Sequence, residues 1–198
     1  PKSLSEERID QLIVKRIPWI KSKLKEYSHR SQFASKKYVD GEIFSYLGKN
    51  YRLKITEGEK VSIKMKNGCF KVIIPKEETN KSEKIQDLIK AWYQRHAEKH
   101  LVEKTEQLSQ LVGVKPKSVS IKNYKSRWGS CSSRGSIDFN WRIIMAPKFV
   151  IDYVVIHELS HLLEHNHSPR YWRIVENNFP KWRESRDWLK ANSGNLMI

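Results

Sequence analysis

Apolar residues recur at Ile9, Leu12, Ile13, Ile17, Ile20 and Leu24, the spacing of one helix face, with lysines opposite. A helix from Ser5 to about Tyr27 is predicted, with Ser5 as its N-cap and a kink or split near Arg16 or Ile17, ahead of Pro18. From Tyr38 to Pro75 the period changes to two, punctuated at Gly41, Gly48-Lys49-Asn50, Glu57-Gly58 and Asn67-Gly68. This predicts a β-meander, with a hairpin at Asn67-Gly68, where both central turn positions need positive φ. Helical spacing returns from about Ser82 to Val112, with Ile85, Leu88, Ile89, Trp92, Leu101, Leu108 and Leu111 as core positions and Gly113 as the stop.

Beyond Gly113 the pattern predicts a strand at Val119-Ser120-Ile121. A hairpin follows, from Arg127 to Ser132 and from Ile137 to Met145, turning at Ser133-Arg134-Gly135. Pro147 opens a helix that runs through Val150, Val154, Ile156, Leu159 and Leu162 to about His165. Asn166 reads as a turn residue and Ser168-Pro169 as the cap and first residue of another helix, which Phe179-Pro180 ends; a last helix covers Trp182 to about Ala191. The class is α+β. Residues 1–80 form an N-terminal helix and meander region, and residues 81–198 form the part that carries the chemistry. A weak internal repeat links Pro1-Lys2 and Ser5 to Ile13 with Pro75-Lys76 and Ser82 to Ile89, each copy running on to Trp19 or Trp92. The second copy follows a hairpin and the first does not, so a hairpin is expected to be missing from the N-terminus, with the first helix packed beside the meander near an unpaired sheet edge.

Composition narrows the possibilities. The 198 residues are 38% hydrophobic, sufficient for a core, and contain no apolar run of membrane-spanning length and no signal-peptide pattern at the start. A cytoplasmic location is expected. Cys69 and Cys131 form no Cys-x-x-Cys pair, which argues against a disulfide framework or a cysteine-built metal site. The net charge of +16 divides evenly, +8 in residues 1–80 and +8 in 81–198, so the basic surface leaves open a nucleic-acid, nucleotide or acidic partner without marking where it would bind.

His157-Glu158-Leu159-Ser160-His161 places two imidazoles four residues apart on one helix face, able to take two corners of a tetrahedral zinc site. Glu158, one residue on, sits where a general base for hydrolysis belongs. For the third ligand, His167 lies just past the predicted break at Asn166, where the chain can swing back. His165 is the rival, but three ligands along one straight helix would span about 12 Å, too far for donors that bind at about 2.1 Å. His29, His96 and His100 lack such neighbours and read as surface imidazoles, and Glu164 as an orienting or solvated carboxylate. Three functions fit: zinc-assisted peptide hydrolysis; metal-dependent hydrolysis of a nucleotide or other phosphate anhydride, for which no P-loop cradle is present; and a nucleic-acid-associated module with a structural metal.

Several blocks then resemble one family. Ser126 to Ser132 (Ser-Arg-Trp-Gly-Ser-Cys-Ser), Asn140-Trp141-Arg142, Pro147, Asp152 to His161, Asn166-His167-Ser168 and Tyr171-Trp172 are similar, in order and spacing, to the YgjP-like metallopeptidases, relatives of the SprT-like and WLM zinc peptidases. The resemblance implies a zincin-like core, in which an HExxH helix lies beside a mostly antiparallel sheet whose edge strand aligns an extended peptide. It implies Zn2+ held by His157, His161 and His167, with Glu158 as base and a peptide or protein substrate. Arg127, with backbone amides near Gly129, is a candidate to stabilise a developing oxyanion; the alternative is a structural hairpin with Arg127 exposed and Trp128 in the core.

Overall fold

The computed structural model describes residues 5–30 and 36–198. Helix α1 (Glu6–Arg30) is followed by strands β1 (Ile43–Tyr46), β2 (Lys49–Glu57), β3 (Ser62–Lys66) and β4 (Cys69–Ile74). The long helix α2 (Lys81–Val112) leads to β5 (Ser118–Lys122), β6 (Gly129–Cys131) and β7 (Ser136–Asn140). A 3₁₀ segment (Trp141–Met145), α3 (Lys148–Ser160), α4 (Pro169–Asn178), α5 (Trp182–Asn192) and a closing 3₁₀ turn (Ser193–Leu196) complete the α+β fold.

The meander is rearranged. The first sheet has the order β1-β2-β4-β3, with β2 and β4 parallel. The Asn67-Gly68 hairpin forms as expected, with φ of 53° and 72° at its two turn residues, and it pairs β3 with β4. Burial explains the order. In β4, Phe70, Val72 and Ile74 are all fully buried, so this strand takes the interior, while the lysine-bearing β3 is left at the edge. The second sheet, β5-β7-β6, is mixed and not mostly antiparallel: β5 and β7 are parallel, and only β6 and β7 run as the expected hairpin.

Chain segments predicted as strand or core also differ in places. The second hairpin strand stops at Asn140, because the Asn140 side chain accepts a bond from the Arg142 amide and starts a 3₁₀ turn. Trp141, Ile143, Ile144 and Met145 are all buried there, a run with no exposed face for strand alternation to express. In α2, Gly113 caps the helix in the left-handed conformation, with its amide bonded to the Ser109 carbonyl. Leu111, expected in the core, is 60% exposed; Thr105 and Ser109 are buried instead, their hydroxyls bonded to the Leu101 and Glu106 carbonyls.

Helix α2 joins the two sheets. Ile85, Ile89, Trp92 and Tyr93 pack on the first sheet, where the Trp92 and Phe70 rings meet edge to face at 4.7 Å and the Tyr93 hydroxyl donates to the Ser45 carbonyl at 2.6 Å. The same helix packs against α3 and the 3₁₀ segment, with Tyr93 stacked near Trp141. The β1–β2 turn is fastened to the start of α3. The Leu47 and Gly48 amides donate to the Ile144 and Met145 carbonyls, and a Cβ on Gly48 would lie 2.7 Å from the Pro147 backbone.

Helix α1 differs from expectation. It runs through Pro18 without splitting, its Arg8 amide is capped by Ser5, and every one of its described side chains is exposed. It does not pack beside the sheet as its apolar face predicts. Each edge strand of the first sheet, β1 and β3, has one strand partner among the described residues. Pro1 and Lys2 of the repeat and the His29 side chain lie outside the described residues.

Candidate metal centre

Helix α3 is apolar over most of its surface: Val150, Ile151, Tyr153, Val154, Val155, Ile156 and Leu159 are buried. Glu158, 5% exposed, is buried among them. The helix ends at Ser160, earlier than periodicity predicts, because two local contacts offer the backbone an alternative. The Ser160 hydroxyl donates to the Ile156 carbonyl at 2.7 Å, and the chain then turns so that the Glu164 carbonyl lies 3.2 Å from His161 Nδ1. The bond to the carbonyl requires hydrogen on Nδ1, which leaves the Nε2 lone pair facing inward. Glu164 thus orients the imidazole through its backbone; its carboxylate lies 4.0 Å from Arg170.

The position of His167 follows from the next cap. Ser168 accepts the Tyr171 amide at 3.3 Å and Pro169 occupies the first turn, so α4 starts at a defined point and the residue before its cap is held back over α3. His167 Nε2 lies 3.2 Å from His157 Nε2, and ligand atoms of His157, His161 and His167 all fall within 4.8 Å of one another. His165 is exposed and outside this group. Tyr171 packs the cluster from behind, its ring stacked on His161 at 4.5 Å and its hydroxyl donating to the His157 carbonyl at 3.0 Å. Trp172 stacks on His167 at 5.6 Å and on Trp182 at 4.3 Å.

The donor set suits a metal ion. Two ligands at about 2.05 Å from a tetrahedral zinc stand about 3.3 Å apart, which is close to the 3.2 Å between the two Nε2 atoms. Two imidazole lone pairs so close repel unless a cation or a proton lies between them. His157 Nδ1 is buried without a hydrogen-bond partner. Burial, followed by the His161 and His167 charges, pushes the His157 ring down to about 3, and burial lowers His161 as well. Neutral rings are the form that binds metal.

Glu158 has a neighbour that periodicity does not reveal. A Cβ built on Gly129, the first residue of β6, would lie 2.5 Å from Glu158 Oε1 and 2.7 Å from its Cγ. The carboxylate therefore occupies space that only glycine leaves open. Burial pushes the Glu158 carboxyl up to about 8, with the Arg127 guanidinium pulling the other way. Arg127 itself is exposed, 5.3 Å over the Tyr124 ring, and Trp128 is half-buried against the core. Asn140 holds this loop by donating to the Tyr124 and Arg127 carbonyls at 2.9 and 3.0 Å. Beside Glu158 and His157 opens a cavity of about 420 Å³, which α5 closes on its far side.

His96 and His100 are half-buried, not on the surface, and His96 stacks on Trp92 at 3.6 Å, away from the cluster. No helix among the described residues is long and apolar enough to cross a membrane.

A family model described as "YgjP-like, metallopeptidase domain" matches residues 1–192. No curated protein matches the chain. Among solved structures, the crystal structure of the metallopeptidase zymogen abylysin from Pyrococcus abyssi is 26% identical, covering 46% of this chain and 92% of that one, with a TM-score of 0.43.

Proposed function

Because the chain belongs to the YgjP-like metallopeptidase family, and so is a metallopeptidase acting on peptides or proteins, we propose that its ion is zinc, held by His157, His161 and His167, and that Glu158 is the general base. One observation carries the reading: three imidazoles converge within 4.8 Å beside a buried carboxylate that has no other evident reason to be inside an apolar helix. Three neutral nitrogen donors with a fourth position open are the pattern of a catalytic zinc site. Bound there, zinc supplies Lewis acidity and acidifies water toward neutral pKa.

The chain's own residues do the rest. Glu158, held against Gly129, accepts the proton of the attacking water and returns it to the leaving amine nitrogen. The Glu164 carbonyl and Tyr171 fix His161 and His157 for their task. Strand β6 pairs only with β7 among the described residues and lies against α3, so its outer edge is placed to align an extended substrate. Arg127, which acts on the Glu158 carboxyl through its charge, is the side chain nearest in kind to an oxyanion partner.

Metal analysis combined with a peptide assay tests this. Glu158→Gln keeps its zinc and loses turnover by at least about 10²-fold, while His161→Ala loses the zinc. Full activity in Glu158→Gln would remove the mechanism, and full zinc content in His161→Ala would remove the ligand assignment.

A further inference from the structure

The cavity beside Glu158 has an uneven charge. Three cations line it: Arg127 from the loop before β6, and Arg186 and Lys190 from one face of α5, four residues apart. All three are exposed, and among the described residues none is within ion-pair distance of a carboxylate. The only acidic side chain in the lining is Glu158, which the site itself uses. Much of the remaining lining is apolar, with Tyr153, Val154 and Leu189 among its residues.

Two of these cations are pre-placed. The Arg186 guanidinium lies 5.4 Å from the Trp182 ring and 5.9 Å from the Trp172 ring, on the aromatic stack that also supports His167. Arg127 rests over Tyr124, in the loop that Asn140 holds. A guanidinium braced in this way loses less freedom when it binds a carboxylate than a free side chain would. The even spread of basic residues along the sequence does not account for a cavity that borders the reacting centre and sets three cations against one carboxyl, that of Glu158.

We propose that this cavity is a subsite for a substrate carboxylate, so that the enzyme prefers peptides with an acidic residue, or a free C-terminus, next to the bond it cuts. The aliphatic part of the residue packs on the apolar wall and its carboxylate meets Arg186, Lys190 and Arg127. A lysine or arginine in the same place faces three like charges. The proposal rests on the peptidase reading above.

The test uses matched fluorescent peptides in which one position near the cleaved bond is Glu, Gln or Lys and the C-terminus is amidated, with a further Gln peptide that keeps its free C-terminal acid. Binding is measured by anisotropy on zinc-loaded Glu158→Gln protein, and kcat/KM on the zinc-loaded wild-type chain. The Glu peptide or the free-acid peptide should bind at least about tenfold more tightly than the amidated Gln peptide, the order expected of a charge-assisted contact. Which of the two does so identifies the source of the carboxylate. Arg186→Glu with Lys190→Glu should abolish that preference and turn it toward Lys; Arg186→Gln with Lys190→Gln, which keeps the packing, should abolish it without the turn. Zinc content serves as the folding control for both pairs. Equal binding of acidic and neutral peptides, or a preference that survives the double charge reversal, would overturn the subsite. Tight binding of nucleoside triphosphates without discrimination among the peptides would also overturn it. If no peptide is cut yet the binding preference is present and lost in the variants, the peptidase reading fails and the carboxylate subsite stands.

Discussion

Helices α1 and α2 open with nearly the same pattern and have opposite environments. Ile9, Ile13 and Trp19 of α1 are 42%, 50% and 57% exposed, whereas Ile85, Ile89 and Trp92 of α2 are 1%, 0% and 4% exposed. Both have the apolar face of an amphipathic helix, but only α2 has a sheet on one side and α3 on the other. Periodicity thus identifies a face that is apolar enough to be covered, while the covering surface comes from elsewhere in the chain. Among the described residues nothing buries the apolar face of α1.

Paired truncations give the largest test of this contrast. Ile89→Ala should cost about 2–5 kcal/mol, the range for a buried large-to-small change, as read from urea unfolding. If it costs less than 1 kcal/mol, the burial of α2 is overstated. A single added methyl sharpens the contrast inside the packed part. Gly129→Ala places a Cβ within 2.5–2.8 Å of Glu158 atoms, so turnover should fall about 10²-fold, as for loss of the base, while stability changes by about 1–3 kcal/mol at most. Zinc content should stay constant, and unchanged turnover would show that Glu158 does not need that space. The smallest effect belongs to α1: Ile13→Ala should shift stability by no more than about 0.5 kcal/mol, as at other exposed positions. A cost near that of Ile89→Ala would mean that the α1 face is covered in solution.

The parts of the fold visible in the sequence were those set by local chemistry. Asn67-Gly68, Gly113, Pro147 and Ser168-Pro169 each mark a turn, stop or start for reasons within a few residues, and each does so in the structure. Strand order was not visible, because the parallel pairing of β2 with β4 depends on which strand is most apolar and not on the turn between neighbours. The cluster of His157, His161 and His167 is legible because its three imidazoles lie within a short span of chain, two of them on one helix turn and the third just past the helix break. Helix α3 ends before its apolar period does, since the Glu164 carbonyl contact that turns the chain has no sequence signature. Gly129 and Tyr171 stood within the blocks that carried the family resemblance, yet their contacts with Glu158 and His157 appear only when β6 and α4 are packed on α3. Arg186 and Lys190 gave no signal, as two cations on an exposed helix face are ordinary.

The Leu47-Gly48 turn has a consequence for the dynamics of the molecule. Its amides are bonded to Ile144 and Met145, immediately before the helix that carries Glu158, so they open to solvent only when that junction opens. On the zinc-site reading proposed above, saturating the histidine cluster would stabilise the closed form by mass action, and any cooperative unit that includes the junction would share the gain. Deuterium exchange at Leu47 and Gly48 should therefore slow on adding zinc, in step with α3, although neither residue belongs to the cluster. The first sheet would then act as a reporter of the occupancy of a centre built entirely from the other end of the chain.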